Sequence, residues 1–238
     1  MSGHPADPAP VRHAEGGDLS GPGDDMRSLY PGLYDVGADF DALLAEVTRS
    51  TVDKAHEIVA LRAEMCRRNA GRIAACARAL ARSFGQGGRL FAFGNGGSST
   101  DGHAIVELFT NPGPEACPLP ALALTSDVAV LTALGNDVAF EVIFARQLAA
   151  LGRAGDVAVG LSTSGGSADI VHALEEARRL GMVTVGFAGY DGGRMAECGA
   201  VDHLFVVPSS SVHRIQEAQT TIYHALWELT LAALGEGG

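Results

Sequence analysis

The spacing of apolar positions changes along the chain close to residue 89. From Phe40 to Phe84 the apolar side chains recur every three or four residues, which is the period of an amphipathic helix. Because the apolar positions fall into separate groups, the pattern predicts two helices before any strand. Helices in this place either cover a sheet or pack between subunits.

Beyond residue 89, short apolar runs alternate with helix-like sequence, and a last helix is predicted from about Ser211 to Leu234. Such alternation is typical of right-handed crossovers that build a parallel sheet with helices on both faces. We therefore expect an α/β domain over residues 34–238 with a five-stranded parallel sheet. The predicted strands are Arg89–Phe93, Ala121–Leu124, Val157–Leu161, Val183–Phe187 and His203–Val207.

Residues 1–33 have a different composition from the rest. They contain five of the ten prolines and few large apolar side chains. Such a segment buries too little apolar surface to offset the entropy lost on ordering, so we expect a disordered tail. A partner-binding arm and residues left from cloning are the alternative interpretations.

Composition and charge exclude several classes of protein. Seventeen basic against 28 acidic residues give a formal charge of -11, so no overall positive field would attract nucleic acid or an anionic membrane. The N-terminus lacks the pattern of a signal peptide, and no apolar run approaches the roughly 20 residues of a membrane helix. The four cysteines are scattered without CxxC pairing, which favours a reducing cytoplasm.

Two of the predicted strand-to-helix loops are candidates for phosphate binding. Gly94-Asn95-Gly96-Gly97-Ser98-Ser99 follows the first strand, and Ser162-Thr163-Ser164-Gly165-Gly166-Ser167 follows the third. Glycines let the backbone approach an anion, and hydroxyls with free N–H groups at a helix start can surround phosphate oxygens. Tight connections without a ligand are the alternative. Neither loop matches the dinucleotide or ATP-binding fingerprints.

These loops and several further motifs make the chain, from about residue 37 onward, similar to the sugar isomerase (SIS) family, and specifically to phosphoheptose isomerases. The further motifs begin at Leu134, Phe144, Gly152, Gly189 and Arg214. The resemblance implies an aldose–ketose isomerase that converts sedoheptulose 7-phosphate to D-glycero-D-manno-heptose 7-phosphate by a metal-assisted enediol mechanism. Together with the N-terminal helices it also implies a homotetramer, while the net negative charge predicts no nucleic-acid or membrane partner.

The resemblance implies which residues bind the substrate. The sugar phosphate would be held by the two loops, by an Asn-Asp pair and by a glutamine of the last helix. For the Asn-Asp pair a turn with an Asx cap is the alternative. The implied residues are Asn95, Gly96, Gly97, Asn136, Asp137, Ser162, Thr163, Ser164, Ser167 and Gln216.

The resemblance also implies one zinc ion per subunit, held by His103, Glu107, Gln216 and His224, with Glu107 as base and His224 as acid. His103 and Glu107 are spaced i, i+4 and would share one helix face. Two nitrogens and two oxygens suit a four-coordinate zinc, although this ligand set would accept other divalent ions. Isomerisation needs such a base, an acid and an electrophile for the enediolate.

One departure from the family pattern affects this metal site. The family places two residues between the aspartate and the histidine, whereas here only Gly102 separates Asp101 from His103. A one-residue deletion before the helix brings His103 and Glu107 into the metal positions, and we favour this alignment because their spacing is intact. An alignment without a gap places Ala104 and Leu108 there instead.

Each metal residue also has an ordinary structural interpretation. His103 and Glu107 can be a solvated pair, His224 a core histidine, and Gln216 a solvent-facing side chain. A non-catalytic sugar-phosphate sensor or partner-binding protein is therefore the second functional hypothesis. The same chemistry on a different sugar phosphate is the third.

Overall fold

The computed structural model describes residues 40–114 and 116–235. The tail predicted for residues 1–33 lies outside them. Chain contacts divide the protein into two units, residues 1–54 and 55–238, and the described part of the first unit, residues 40–54, is helical. The prediction of a domain over residues 34–238 stays a prediction.

Five strands and seven helices follow one another in the described residues, with a single 3-10 turn at Phe140–Val142. The strands are β1 (Leu90–Gly94), β2 (Ala121–Ala123), β3 (Val157–Ser162), β4 (Val183–Gly189) and β5 (His203–Val207). The helices are α1 (Phe40–Gly85), α2 (Gly97–Thr110), α3 (Val128–Asp137), α4 (Ile143–Leu151), α5 (Ala168–Arg179), α6 (Gly193–Glu197) and α7 (Val212–Gly235).

The sheet confirms the predicted α/β class. All strand pairs are parallel, and the strand order is β2-β1-β3-β4-β5. The observed strands agree with the predicted ones to within two residues, because each buried apolar run ends at a glycine or a polar loop. No described helix has the length and apolar character to cross a membrane.

The first helical region differs from the prediction, since α1 is one uninterrupted helix over Phe40–Gly85 instead of two. The segment between its apolar groups, residues 48–57, is polar but contains neither glycine nor proline, so nothing in it stops a helix. The interruption of the apolar stripe therefore indicates that this part of α1 is exposed. It does not indicate that the helix ends.

Two hydrophobic clusters lie on opposite faces of the sheet. Alternate residues of β1 point to opposite sides, so Leu90 and Ala92 join one cluster while Phe91 and Phe93 join the other. The first cluster contains residues of α1, α2 and α7, and the second contains residues of α4 and α5. Helices therefore cover both faces, and the loops at the carboxyl ends of the strands are left for binding.

Candidate functional site

The two predicted phosphate loops meet at one edge of the sheet. β1 and β3 are hydrogen-bonded parallel neighbours, with Gly94 in register with Leu161. The first loop leads from β1 into α2, and the second leads from β3 into α5. Carboxyl ends of neighbouring parallel strands are the usual ligand site of this architecture, so the fold brings the two loops together where a ligand would bind.

The second loop forms a cluster of three serine hydroxyls. The Oγ atom of Ser162 lies 2.9 Å from that of Ser167 and 3.4 Å from that of Ser164. The backbone N–H of Gly166 donates to Ser164 Oγ at 3.1 Å. Ser162 is buried and Ser164 is exposed, so the cluster reaches from the strand end to the surface. It is a compact set of neutral donors suited to an anion.

The N-terminus of α5 supplies further donors beside this cluster. Ser167 is the residue before the helix, and its hydroxyl makes no capping bond to α5. Free N–H groups of the first turn and the helix dipole favour a negative charge there. Ser167 Oγ is directed to Ser162 and to the loop instead. The helix start is thus available to a ligand.

A close backbone approach holds the second loop in shape. Gly165 has a φ of 65°, and a Cβ added to it would collide with the carbonyl oxygen of Gly192. Its own carbonyl oxygen accepts a hydrogen bond from Met195 N at 2.9 Å, and Gly189 N donates to Thr163 O at 2.9 Å. Only glycine satisfies both the left-handed φ and the short approach at position 165.

The first loop is tied to the start of α5. Asn95 Nδ2 donates to Asp169 Oδ2 at 2.8 Å, and Asp169 is a buried carboxylate in the first turn of that helix. Gly96, with a φ of 54°, precedes α2. The first loop therefore contacts the helix into which the second loop leads, which fixes the first loop relative to the start of α5.

A cavity of about 540 Å³ opens beside the first loop. Its polar lining includes Asn95, Gly96, Ser99, Thr125 and Thr132. Apolar side chains of α3, α4 and the turn between them complete its wall, namely Leu131, Phe140, Ile143 and Phe144. Its size falls in the usual range of small-molecule sites, and its hydroxyls suit a sugar.

A second, smaller cavity of about 380 Å³ lies between α1, α2 and α7. We call this the α2–α7 groove; Arg62, Gly97, Thr100, Asp101, His213, Gln216, Glu217 and Thr220 line it. Gln216 Nε2 donates to Asp101 Oδ2 at 3.1 Å, and the Tyr223 hydroxyl donates to Asp101 Oδ1 at 3.4 Å. A Cβ on Gly97 would lie 2.5 Å from Gln216 Nε2, so the glycine leaves room for the amide.

Burial sets the electrostatics of this groove. It raises the pKa of Asp101, and the hydrogen bonds from Gln216 and Tyr223 only partly oppose that effect. Burial likewise raises the pKa of the Tyr223 phenol. The half-buried Asp101 carboxylate is held between the Gln216 amide and the Tyr223 phenol. These two contacts fix the position of its charge.

The first predicted metal pair, His103 and Glu107, lies on another side of α2. His103 Nε2 is 3.0 Å from Thr125 Oγ1, and Thr125 in turn accepts a hydrogen bond from Ser99 at 2.9 Å. Glu107 is exposed, and its carboxylate accepts a hydrogen bond from Asn111 of the same helix turn at 3.0 Å. Neither side chain contacts the α2–α7 groove.

The second predicted pair is on α7. Gln216 donates to Asp101 as described, and His224 is exposed with its ring stacked on Tyr223 at a centroid distance of 5.3 Å. Across residues 40–114 and 116–235, no three His, Cys, Asp or Glu side chains are grouped closely enough to hold a metal. The four side chains implied as zinc ligands therefore do not fit a zinc ion in this arrangement.

The predicted Asn136-Asp137 pair ends α3. Both side chains are exposed, and Asn136 Nδ2 donates to Asp137 Oδ1 at 2.7 Å. Neighbouring Gly135 lines the 540 Å³ cavity. The pair lies near the cavity rim, and no described hydrogen bond joins it to either phosphate loop.

The sequence interpretation gave no role to Asp101, Tyr223, Thr125 or Asp169. A signal for two of them existed, because Gln216 and Tyr223 are seven residues apart and so occupy one face of α7. Asp101 lies about one helical turn after Gly97, so both residues face the same neighbouring helix, α7. Thr125 and Asp169 gave no such signal, since their contacts depend on the tertiary arrangement.

Comparison with known proteins agrees with this fold. A family model described as SIS domain matches residues 55–189, more than half of the chain. The phosphoheptose isomerase of Roseiflexus sp. (strain RS-1) is 40% identical over 190 residues, covering 79% of this chain and 95% of that protein. The phosphoheptose isomerase of Desulfovibrio desulfuricans is 49% identical over 170 residues, covering 71% and 76%.

A solved structure of the phosphoheptose isomerase from Neisseria gonorrhoeae superposes with a TM-score of 0.71 at 33% identity. It covers 76% of this chain and 97% of that chain. The fold and the paired loops define an α/β protein whose candidate anion-binding loops lie at the carboxyl edge of its sheet. This chain belongs to the phosphoheptose isomerase family of SIS-domain enzymes.

Proposed function

We propose that this protein isomerises sedoheptulose 7-phosphate to D-glycero-D-manno-heptose 7-phosphate. The observation that carries the proposal is the Ser162–Ser164–Ser167 hydroxyl cluster at the start of α5, joined to the first loop through Asn95 and Asp169. The names of the similar isomerases support the substrate class.

The phosphate is held by neutral groups in this proposal. Ser164 and Ser167 donate hydroxyl protons to its oxygens, and the first-turn N–H groups of α5 add backbone donors. A dianion bound in this way gains the favourable helix-dipole field without a cationic side chain.

The sugar extends from the loops across Gly96 and Gly97, so that its reacting carbons face the α2–α7 groove and its remaining hydroxyls face the 540 Å³ cavity. Asn95, Ser99, Thr125 and Thr132 line it with an amide and three hydroxyls, which can each bond a sugar hydroxyl. The hydrogen bond of Asn95 to Asp169 orients the amide, so its carbonyl oxygen is free to accept from the sugar.

Aldose–ketose isomerisation moves a proton between two carbons and another between their oxygens, so a base and an acid are needed. Glu107 as base, His224 as acid and zinc as electrophile stay predictions. Because the described side chains do not converge on a metal, no proton step proposed here passes through one. Of the carboxylates on α2, Asp101 faces the groove and Glu107 faces outward. This geometry favours Asp101 as the carboxylate that removes the carbon-bound proton.

The outward position of Glu107, the base that the family resemblance implies, favours a second function. If neither carboxylate reaches the sugar, the chain is a sugar-phosphate sensor that keeps the loops and lacks turnover. The cytoplasmic location, the homotetramer and the absence of nucleic-acid and membrane partners stay predictions under both functions.

Proton NMR of sedoheptulose 7-phosphate with the purified chain in deuterated buffer tests the proposal. New aldose anomeric signals, with loss of a carbon-bound proton to solvent exchange, are expected for the isomerase. Shifted ligand resonances without new signals would select the sensor. Unshifted resonances would reject both.

A further inference from the structure

The orientation of α2 is set by Asp101. This helix is continuous over Gly97–Thr110, and Asp101 is hydrogen-bonded to both Gln216 and Tyr223 of α7. Position 101 therefore marks the side of α2 that faces α7. Because residues of an α-helix are separated by about 100°, the directions of the following side chains follow from this point.

The predicted metal residues lie far from that direction. His103 is about 160° and Glu107 about 120° away from Asp101 around the helix axis. Their contacts agree, since His103 engages Thr125 after β2 and Glu107 engages Asn111 on the outer surface. Reaching Gln216 would require α2 to turn or to lose its bonds to Tyr223 and Gln216.

Two apolar residues lie in the direction of α7 instead. Ala104 is about 60° and Leu108 about 20° from Asp101. Both pack against the first hydrophobic cluster, to which α1, the sheet and α7 all contribute. These are the positions that the alignment without a gap assigned to the metal ligands, so the packing supports that alignment over the deletion.

The α7 side of the groove offers too few ligands for zinc. Gln216 is held by Asp101 and by the close approach of Gly97. His224 stacks on Tyr223 and does not line the groove. His213 and Glu217 do line it, but among the described residues they are not grouped with Asp101 closely enough to hold a metal ion. A zinc site formed by protein side chains takes three or four ligands, and the two from α2 are missing from this face.

We infer that the α2–α7 groove of this chain is a metal-free site, in which the Asp101–Gln216–Tyr223 cluster stands where the family resemblance implies zinc. The inference deepens the proposed function by specifying its metal requirement, and it rests on the proposed function only where turnover is measured. Gln216 acts here as a hydrogen-bond donor that positions Asp101.

Zinc stoichiometry of the full chain tests the inference. The protein is incubated with zinc sulfate, desalted and analysed for zinc by mass spectrometry. We expect well below about one zinc per chain for the wild type, with no change in the His103→Ala/Glu107→Ala double variant. About one zinc per wild-type chain, lost in that double variant, would overturn the inference.

A restoring variant provides the matched control. Ala104→His/Leu108→Glu places an imidazole and a carboxylate on the face toward α7, and we expect it to gain about one zinc per chain. Its circular dichroism shows whether it folds, and Ala104→His alone serves if the buried charge of Glu prevents folding. A folded Ala104→His/Leu108→Glu variant that binds no zinc would contradict the assigned orientation of α2.

Turnover is measured separately in the same samples by the NMR assay. No zinc and no turnover would reject the isomerase function while leaving the metal-free groove in place. Turnover that requires stoichiometric zinc would support the isomerase function and would reject the metal-free groove.

Discussion

The phosphate loops and the α2–α7 groove differ in how their side chains are held. The loop residues are fixed by backbone hydrogen bonds, a left-handed glycine and the hydrogen bond from Asn95 of the first loop to Asp169 of α5. In the groove, one carboxylate is held by two side chains of α7, and the residues expected beside it point elsewhere. The difference indicates that the shape of the candidate phosphate loops is set mainly by backbone contacts, whereas the arrangement of the groove depends on side-chain contacts between α2 and α7.

The largest effect is expected in the groove for Asp101→Asn. Removing a general base lowers rates by about 10²- to 10⁴-fold, so we expect kcat to fall by at least about 100-fold with sugar-phosphate binding retained. Steady-state kinetics and NMR titration measure the two quantities. Tyr223→Phe keeps the carboxylate and removes the 3.4 Å bond to Asp101 and the 3.3 Å bond to Thr220, so its loss of kcat should be smaller. Unchanged kcat in Asp101→Asn would return the base role to Glu107.

The next effect is expected in the loops for Ser167→Ala. A hydrogen bond to a charged group is worth about 1.5–3 kcal/mol, so kcat/KM should fall by about 10- to 100-fold. The helix loses no cap, because the Ser167 hydroxyl makes no capping bond. Ser50→Ala on α1 is the control and should behave as wild type. If Ser167→Ala and Ser50→Ala change kcat/KM equally, the proposal that this loop binds the phosphate is wrong.

A much smaller effect is expected for Glu107→Gln. The side chain is exposed, and its described bond is to Asn111, so kcat should change by less than about twofold. Glu175→Gln on the exposed side of α5 is a matched comparison. A collapse of kcat confined to Glu107→Gln would show that α2 presents this residue to the substrate and would break the contrast between the two regions.

A change outside both regions should affect stability alone. Asp202 is partly buried, which raises its pKa, but hydrogen bonds from Thr184 and Arg178 outweigh this and hold the pKa below its usual value. Its stabilising contribution is therefore present above the unfolded pKa of about 3.9 and is lost as pH falls through the lower folded pKa.

Asp202→Asn should thus lower the melting temperature near neutral pH, weaken the loss of stability toward pH 3, and leave kcat/KM unchanged. The melting temperature is measured at pH values from about 3 to about 8, a range that includes the unfolded carboxyl pKa of about 4. A parallel pH dependence in variant and wild type would mean that Asp202 contributes nothing to acid unfolding.

The sequence predicted the sheet and the loops because both depend on local patterns. Apolar runs ending at Gly94 and Ser162 define strand ends, and parallel order then places the following loops together. The helix over Phe40–Gly85 was divided incorrectly, since exposure of its polar middle resembled a boundary. The periodicity of apolar positions thus predicts whether a segment is a helix or a strand more reliably than it predicts where that element ends.

The side-chain contacts of the α2–α7 groove cannot be predicted from such patterns. The i, i+4 spacing of His103 and Glu107 places them on one face of α2 but does not say which neighbour that face meets. That depends on Asp101 bonding to Gln216 across 115 positions of sequence. The roles implied for His103, Glu107, Gln216 and His224 accordingly stay predictions.

Proton NMR of sedoheptulose 7-phosphate with chelator-treated protein in deuterated buffer tests the central claim most directly. The account predicts aldose anomeric signals that appear at the same rate before and after removal of metal ions. Turnover that stops with the chelator and returns with zinc would contradict it.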